Sequence, residues 1–135
     1  MQVIILSAGV GSRLRPHTLL KPKCLVEVGG KSILERQLKV FKECKISDRS
    51  IAIVGGYLCD QLRQFNIQVI ENKIYDSTNM VFSLFRAFEI INLEQDIIIS
   101  YGDIIYEKKV LEKLILSTSP ITVIADMKWE SLWKI

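Results

Sequence analysis

The chain has 135 residues, 49% of them hydrophobic and 24% charged, with 18 basic against 15 acidic side chains for a net charge of +3. That balance suits one compact domain, 1–135, with a real core, and excludes a disordered chain, a fibre and a collagen-like repeat. The charge excess is too small to argue for nucleic acid, no apolar run approaches the roughly 20 residues of a membrane span, and the apolar start lacks the basic n-region of a signal peptide.

Residues 2–6 (QVIIL) form a continuous β-branched run ending in Ser7-Ala8-Gly9, which reads as a buried parallel strand and a turn. Residues 9–30 hold four of the seven glycines and two of the three prolines, the signature of a long functional loop. A helix is predicted over 31–45, with Ile33, Leu34, Leu38 and Phe41 as its apolar stripe. Residues 50–54 (SIAIV) predict a second strand, 58–64 a short helix and 67–70 (IQVI) a third strand. Ser77 or Thr78 is expected to cap a helix running to about residue 91. Residues 96–100 (DIIIS) predict a fourth strand ending in Tyr101-Gly102-Asp103, followed by a helix near 108–116 and a fifth strand over 121–125. Trp129, Leu132 and Trp133 look like the start of another apolar helix. Strands alternating with helices indicate an α/β domain with a mainly parallel sheet. Cys24, Cys44 and Cys59 form no CxxC pair, which fits free thiols in a reducing cytoplasm. With His17 the single histidine, no zinc cluster is expected.

Ligands of open α/β sheets bind beyond the carboxyl ends of the strands. The segment there after the first strand is Ser7-Ala8-Gly9-Val10-Gly11-Ser12-Arg13-Leu14-Arg15-Pro16. Gly9 and Gly11 allow close backbone approach and positive φ, and successive N–H groups can form an anion nest. A dinucleotide fingerprint would need glycine where Leu14 stands, and a P-loop ending at Gly30-Lys31-Ser32 would need glycine where Leu25 stands. Gly29-Gly30 therefore reads as a turn before the helix.

The longer pattern AGVGSRLRPHT (8–18) with KPKCLVEVGGKSILERQL (21–38) resembles the nucleotidyltransferase superfamily that activates phosphorylated small molecules. Its signature, AGxGxRLxPxT followed by PKxLxxVxGKxxLE, is matched by Gly9, Gly11, Arg13, Leu14, Pro16, Thr18, Pro22, Lys23, Leu25, Val28, Gly30, Lys31, Leu34 and Glu35. Residues 72–84 resemble the NxxYxxTNNxxSL stretch of phosphocholine cytidylyltransferase-like members, with Met80 where many of them have a second asparagine. Tyr101-Gly102-Asp103 resembles the strand-end GD whose aspartate holds a magnesium ion.

The resemblance covers 1 to about 126 and implies a Rossmann-like three-layer α/β/α sandwich. It implies attack by an acceptor phosphate oxygen on the α-phosphorus of an NTP, with pyrophosphate leaving. In that scheme Ala8, Gly9, Gly11 and Ser12 wrap the nucleotide, and Arg13 neutralises pyrophosphate. Lys23 lies between the α-phosphate and the acceptor, Thr78 and Asn79 meet the base, and Asp103 holds Mg2+. The implied partners are CTP and an acceptor such as phosphocholine. A sugar-1-phosphate nucleotidyltransferase and a catalytically incomplete nucleotide-binding module are the competing readings. Family members usually continue well beyond this length, so the chain is expected to be a truncated, nucleotide-binding half. An exposed sheet edge and apolar end are then expected to favour a homo-oligomer.

Overall fold

The apolar runs at 2–6 and 50–54 become strands with cover on both faces of one sheet, and the run at 96–100 joins it as an edge strand with Ile98 buried and Ile99 exposed. The computed structural model describes residues 1–134, except for the side chains of Leu132 and Trp133. In chain order the elements are β1 (Gln2–Ser7), the two-residue strands β2 (Glu27–Val28) and β3 (Lys31–Ser32), α1 (Ile33–Glu43), β4 (Ile51–Gly55), β5 (Gln68–Glu71), α2 (Met80–Phe88), β6 (Ile97–Tyr101), α3 (Lys108–Ile115) and α4 (Trp129–Trp133). The main sheet has the order β5-β4-β1-β6 and is parallel throughout. Val3 stands opposite both Ile51 and Ile98, which fixes the register of β4, β1 and the edge strand β6.

Alternation along β1 divides the core. Val3 and Ile5 face a cluster with Ile51, Ile53 and Ile98 that is closed by Leu34 and Phe41 of α1 and Leu111 of α3. Ile4 points the other way, to Ala52, Val54 and Ile70, under Ala87 of α2. Helices thus cover both faces of a parallel sheet, the three-layer α/β/α sandwich that the family resemblance implied. Each fully buried aliphatic or aromatic side chain contributes about 1.5–3 kcal/mol.

Local chemistry sets where α1 begins. The Ser32 hydroxyl accepts from the Glu35 backbone N–H at 3.2 Å, and the Ser32 N–H donates to Glu35 Oε2 at 2.7 Å. This reciprocal capping box satisfies two orphan donors. The bonds from Ser32 hold the Glu35 carboxyl below the usual carboxylate range. Lys31, predicted inside the helix, instead pairs with Val28 in the β2–β3 ladder around the Gly29-Gly30 turn.

Three other expectations need correction. Asn79, and neither Ser77 nor Thr78, caps α2: its Oδ1 accepts from Val81 N–H at 3.0 Å and Phe82 N–H at 3.1 Å. The Ser77 and Thr78 hydroxyls turn back to the Ile74 carbonyl, and α2 closes at Phe88, short of residue 91. The short helix expected over 58–64 does form, as the 3-10 helix Cys59–Gln64. Residues 121–125 form no strand: they take no ladder partner among the described residues, and Ile121 and Val123 are 85% and 82% exposed. The expected helix near the end is α4. Trp129 is exposed on it, while the packing of Leu132 and Trp133 lies outside the described residues. Apolar surface is also uncovered on Met80, Val81 and Phe85 of α2 and on Ile99 and Tyr101 of β6, where the Tyr101 hydroxyl reaches Met80 Sδ. No helix among the described residues is long and apolar enough to cross a membrane.

Candidate functional site

Because the strands are parallel, the loops leaving β1, β4, β5 and β6 meet at one end of the sheet. The β1 loop is fixed at several points. Gly11 adopts φ 66° and starts a 3-10 turn, Ser12–Leu14. Its carbonyl accepts from the fully buried Thr18 hydroxyl at 2.8 Å. A Cβ at Gly11 would stand 3.1 Å from both Lys23 Cβ and Thr18 Cγ2, so glycine is required by backbone conformation and by space. Gly9 keeps a negative φ, contrary to expectation, and a Cβ there would meet nothing within 4 Å. Its value is the open space above it.

Neighbouring loops brace this one. Tyr57 N–H donates to the Ala8 carbonyl at 3.1 Å, and the Tyr57 hydroxyl reaches the Leu19 carbonyl at 2.8 Å. Gly102 N–H donates to the Leu6 carbonyl at 2.8 Å. A Cβ on Gly102 would lie 2.7 Å from Ser7 Cβ, so the β6 turn crosses directly over the end of β1. That crossing brings Asp103 to Lys23, eighty residues away in sequence, and the two form an ion pair. Their side chains are 38% and 30% exposed. Lys23 opens the 3-10 turn Lys23–Leu25, whose next two residues, Cys24 and Leu25, are buried in the core and anchor it. Burial pushes the Cys24 thiol up to about 11. Lys23 therefore does not activate it, and Cys24 is a structural thiol.

Arg13 and Ser12 are exposed, with no side-chain hydrogen bond or ion pair among the described residues. Thr78 is engaged: its hydroxyl donates to the Ile74 carbonyl at 2.7 Å and accepts from the buried Asn72 amide at 3.0 Å. Asn79 Oδ1 is spent on the helix cap, which leaves its amide Nδ2 as the side-chain donor available to a ligand. The sequence reading missed the roles of three buried polar residues, Thr18, Asn72 and Gln37. Asn72 also donates to the Ser83 hydroxyl at 3.1 Å, tying the 72–79 turn to α2. The Gln37 amide reaches the carbonyls of Tyr101 and Ile104. Thr18 and Asn72 stood inside recognisable motifs, whereas Gln37 gave no signal beyond its place on the apolar stripe.

Among the described residues, no three His, Cys, Asp or Glu side chains converge on a metal position. Asp103 fits a magnesium ion by another route. It is a partly exposed hard-oxygen donor, and Mg2+ is commonly held by one or two carboxylates with phosphate oxygens and water. Two surface grooves of about 700 and 590 Å3 are lined by other residues. The loop, Lys23 and Asp103 lie together on an open, partly exposed surface.

Residues 3–129 match the family described as MobA-like NTP transferase domain. The chain is 42% identical over 98% of its length to the CTP:phosphoglutamine cytidylyltransferase of Campylobacter jejuni, and covers 55% of that protein. A solved structure of the CTP:phosphocholine cytidylyltransferase of Streptococcus pneumoniae superposes with a TM-score of 0.60 at 37% identity, over 65% of this chain and 40% of that one. The glucose-1-phosphate cytidylyltransferase of Salmonella typhimurium is 44% identical over 57 residues, 42% of this chain and 21% of that protein. The chain thus spans about half the length, or less, of the relatives it matches.

Proposed function

Since the chain belongs to the family of MobA-like NTP transferase domains, we propose that it binds CTP at the carboxyl ends of β1 and β6 and serves transfer of the cytidylyl group to a phosphorylated small molecule. The observation that carries this reading is the Lys23–Asp103 pair, held beside the Gly11 turn by a glycine crossing. Two cytidylyltransferase relatives that act on phosphoglutamine and phosphocholine support the choice of base and acceptor class.

In the reaction an acceptor phosphate oxygen attacks the α-phosphorus. One P–O bond forms, the bond to the β-phosphate bridging oxygen breaks, and its electron pair leaves with pyrophosphate. The nucleophile is already anionic, so no side chain has to take a proton. The task is to bring two polyanions together, which calls for cations and oriented N–H groups. Backbone groups of Ala8, Gly9, Gly11 and Ser12 cradle the nucleotide, and Arg13 meets the departing pyrophosphate. Lys23 leaves Asp103 and bridges the α-phosphate and the acceptor. The Asn79 amide and the Thr78 backbone face the base. A magnesium ion held on Asp103 would supply charge neutralisation at the α-phosphate.

Thermal unfolding with CTP, UTP, GTP or ATP, each with magnesium, tests the base. CTP is expected to stabilise most, by about 2.7 kcal/mol at a hundredfold excess over its Kd. Equal shifts with all four nucleotides, or none, would contradict the reading. Phosphorus NMR of mixtures with CTP and phosphocholine, phosphoglutamine or glucose 1-phosphate then identifies the acceptor. The sugar phosphate is included because of the glucose-1-phosphate cytidylyltransferase relative.

A further inference from the structure

Gln37 lies on the buried face of α1, one turn after Leu34 and one turn before Phe41, and is only 1% exposed. A buried amide is costly unless its polar groups are bonded. Here its Nε2 donates to the Tyr101 carbonyl at 2.8 Å and to the Ile104 carbonyl at 2.7 Å, while its Oε1 accepts from the Ser100 hydroxyl at 3.3 Å. All three bonds go to one stretch, 100–104, and the two donors flank Asp103. On the other side the turn is pinned by Gly102 N–H to the Leu6 carbonyl and by its close passage over Ser7. An aliphatic side chain at position 37 would fill the same core space but leave two inward carbonyls without these donors.

We propose that Gln37 is a positioning residue for Asp103: its amide clamps the Tyr101–Ile104 turn and so sets where the carboxylate is presented to a divalent cation arriving with the nucleotide. The cation half of this inference rests on the function proposed above, and the clamp itself does not. Gln37 supports the backbone that carries Asp103 rather than the carboxylate itself; with the loss of support around a metal ligand as the guide, its removal is expected to cost about 10–100-fold in metal affinity. An amide that served only to fill the core would leave that affinity alone.

The test uses the 135-residue chain with Gln37→Met, which keeps length and apolar packing but removes the donors. Leu34→Val loosens the same helix without touching the turn and serves as the control. Two quantities are compared: amide hydrogen exchange over 100–105 without ligand, and Mn2+ affinity by electron paramagnetic resonance with CTP present. Gln37→Met is expected to speed exchange in this turn at least about tenfold beyond the control and to weaken Mn2+ binding about 10–100-fold, with metal-free CTP affinity unchanged. Behaviour equal to the control in both measurements overturns the proposal, as does faster exchange with unaltered Mn2+ affinity. If the unsubstituted chain binds no Mn2+ with CTP, the nucleotide reading fails. The exchange comparison then decides the clamp by itself.

Discussion

Lys23→Ala, placed in an active longer form of the protein, is expected to lower the rate of cytidylyl transfer by roughly 10²–10³, in line with losing one preorganised charge at a reacting phosphate. Its stability cost should be small. The Lys23–Asp103 pair is partly exposed, and pairs of that kind contribute about 0–1 kcal/mol. A large kinetic effect with a nearly unchanged Tm therefore separates a catalytic lysine from a structural one. Lys23→Arg should recover only part of the rate, because a planar fork cannot replace a compact ammonium between two phosphates. Transfer rates measured under saturating CTP check this. An alanine variant within about threefold of the original rate would place Lys23 outside the chemistry, since one tenfold step corresponds to about 1.4 kcal/mol of barrier.

Arg13→Ala carries the second large effect. Arg13 is exposed and makes no ion pair among the described residues, so its removal should alter stability by no more than about 0.5 kcal/mol. If its guanidinium stabilises the departing pyrophosphate, kcat of an active longer form of the protein falls by roughly 10²–10³. Arg13→Lys restores part of it, lacking the two-pronged geometry for phosphate oxygens. Steady-state kinetics at varied CTP distinguish this from simple binding: the loss should appear in kcat more than in KM. Near-original turnover in Arg13→Ala would remove it from the site.

The sheet was legible because a parallel strand covered on both faces is apolar along its inner residues, as 3–6 and 51–54 are; 97–99 is equally apolar, although the edge strand β6 leaves Ile99 47% exposed. The turn after β1 was legible because Gly11 is a glycine for reasons of φ and space that few other residues meet. The strand expected at 121–125 shows the limit of that logic. β propensity describes fit to a half-buried pleated surface, and Ile121-Thr122-Val123 meets none among the described residues. The α2 cap was misplaced because Ser77, Thr78 and Asn79 are all good capping residues. The choice among them depends on the Ile74 carbonyl and the Asn72 amide, which occupy Thr78. Gln37 was invisible for a similar reason. A glutamine in an amphipathic helix reads as solvated, and its partners lie more than sixty residues further on.

If the Gly11 turn, Lys23 and Asp103 form a magnesium-dependent CTP site, calorimetric titration of CTP, with and without magnesium, into the chain and its Asp103→Asn variant will separate the two proteins. One CTP is expected per chain, bound more tightly with magnesium, and the variant is expected to stay folded and keep metal-free binding but lose the magnesium enhancement. Equal magnesium enhancement in both proteins, or no CTP binding by the unsubstituted chain, would contradict this assignment.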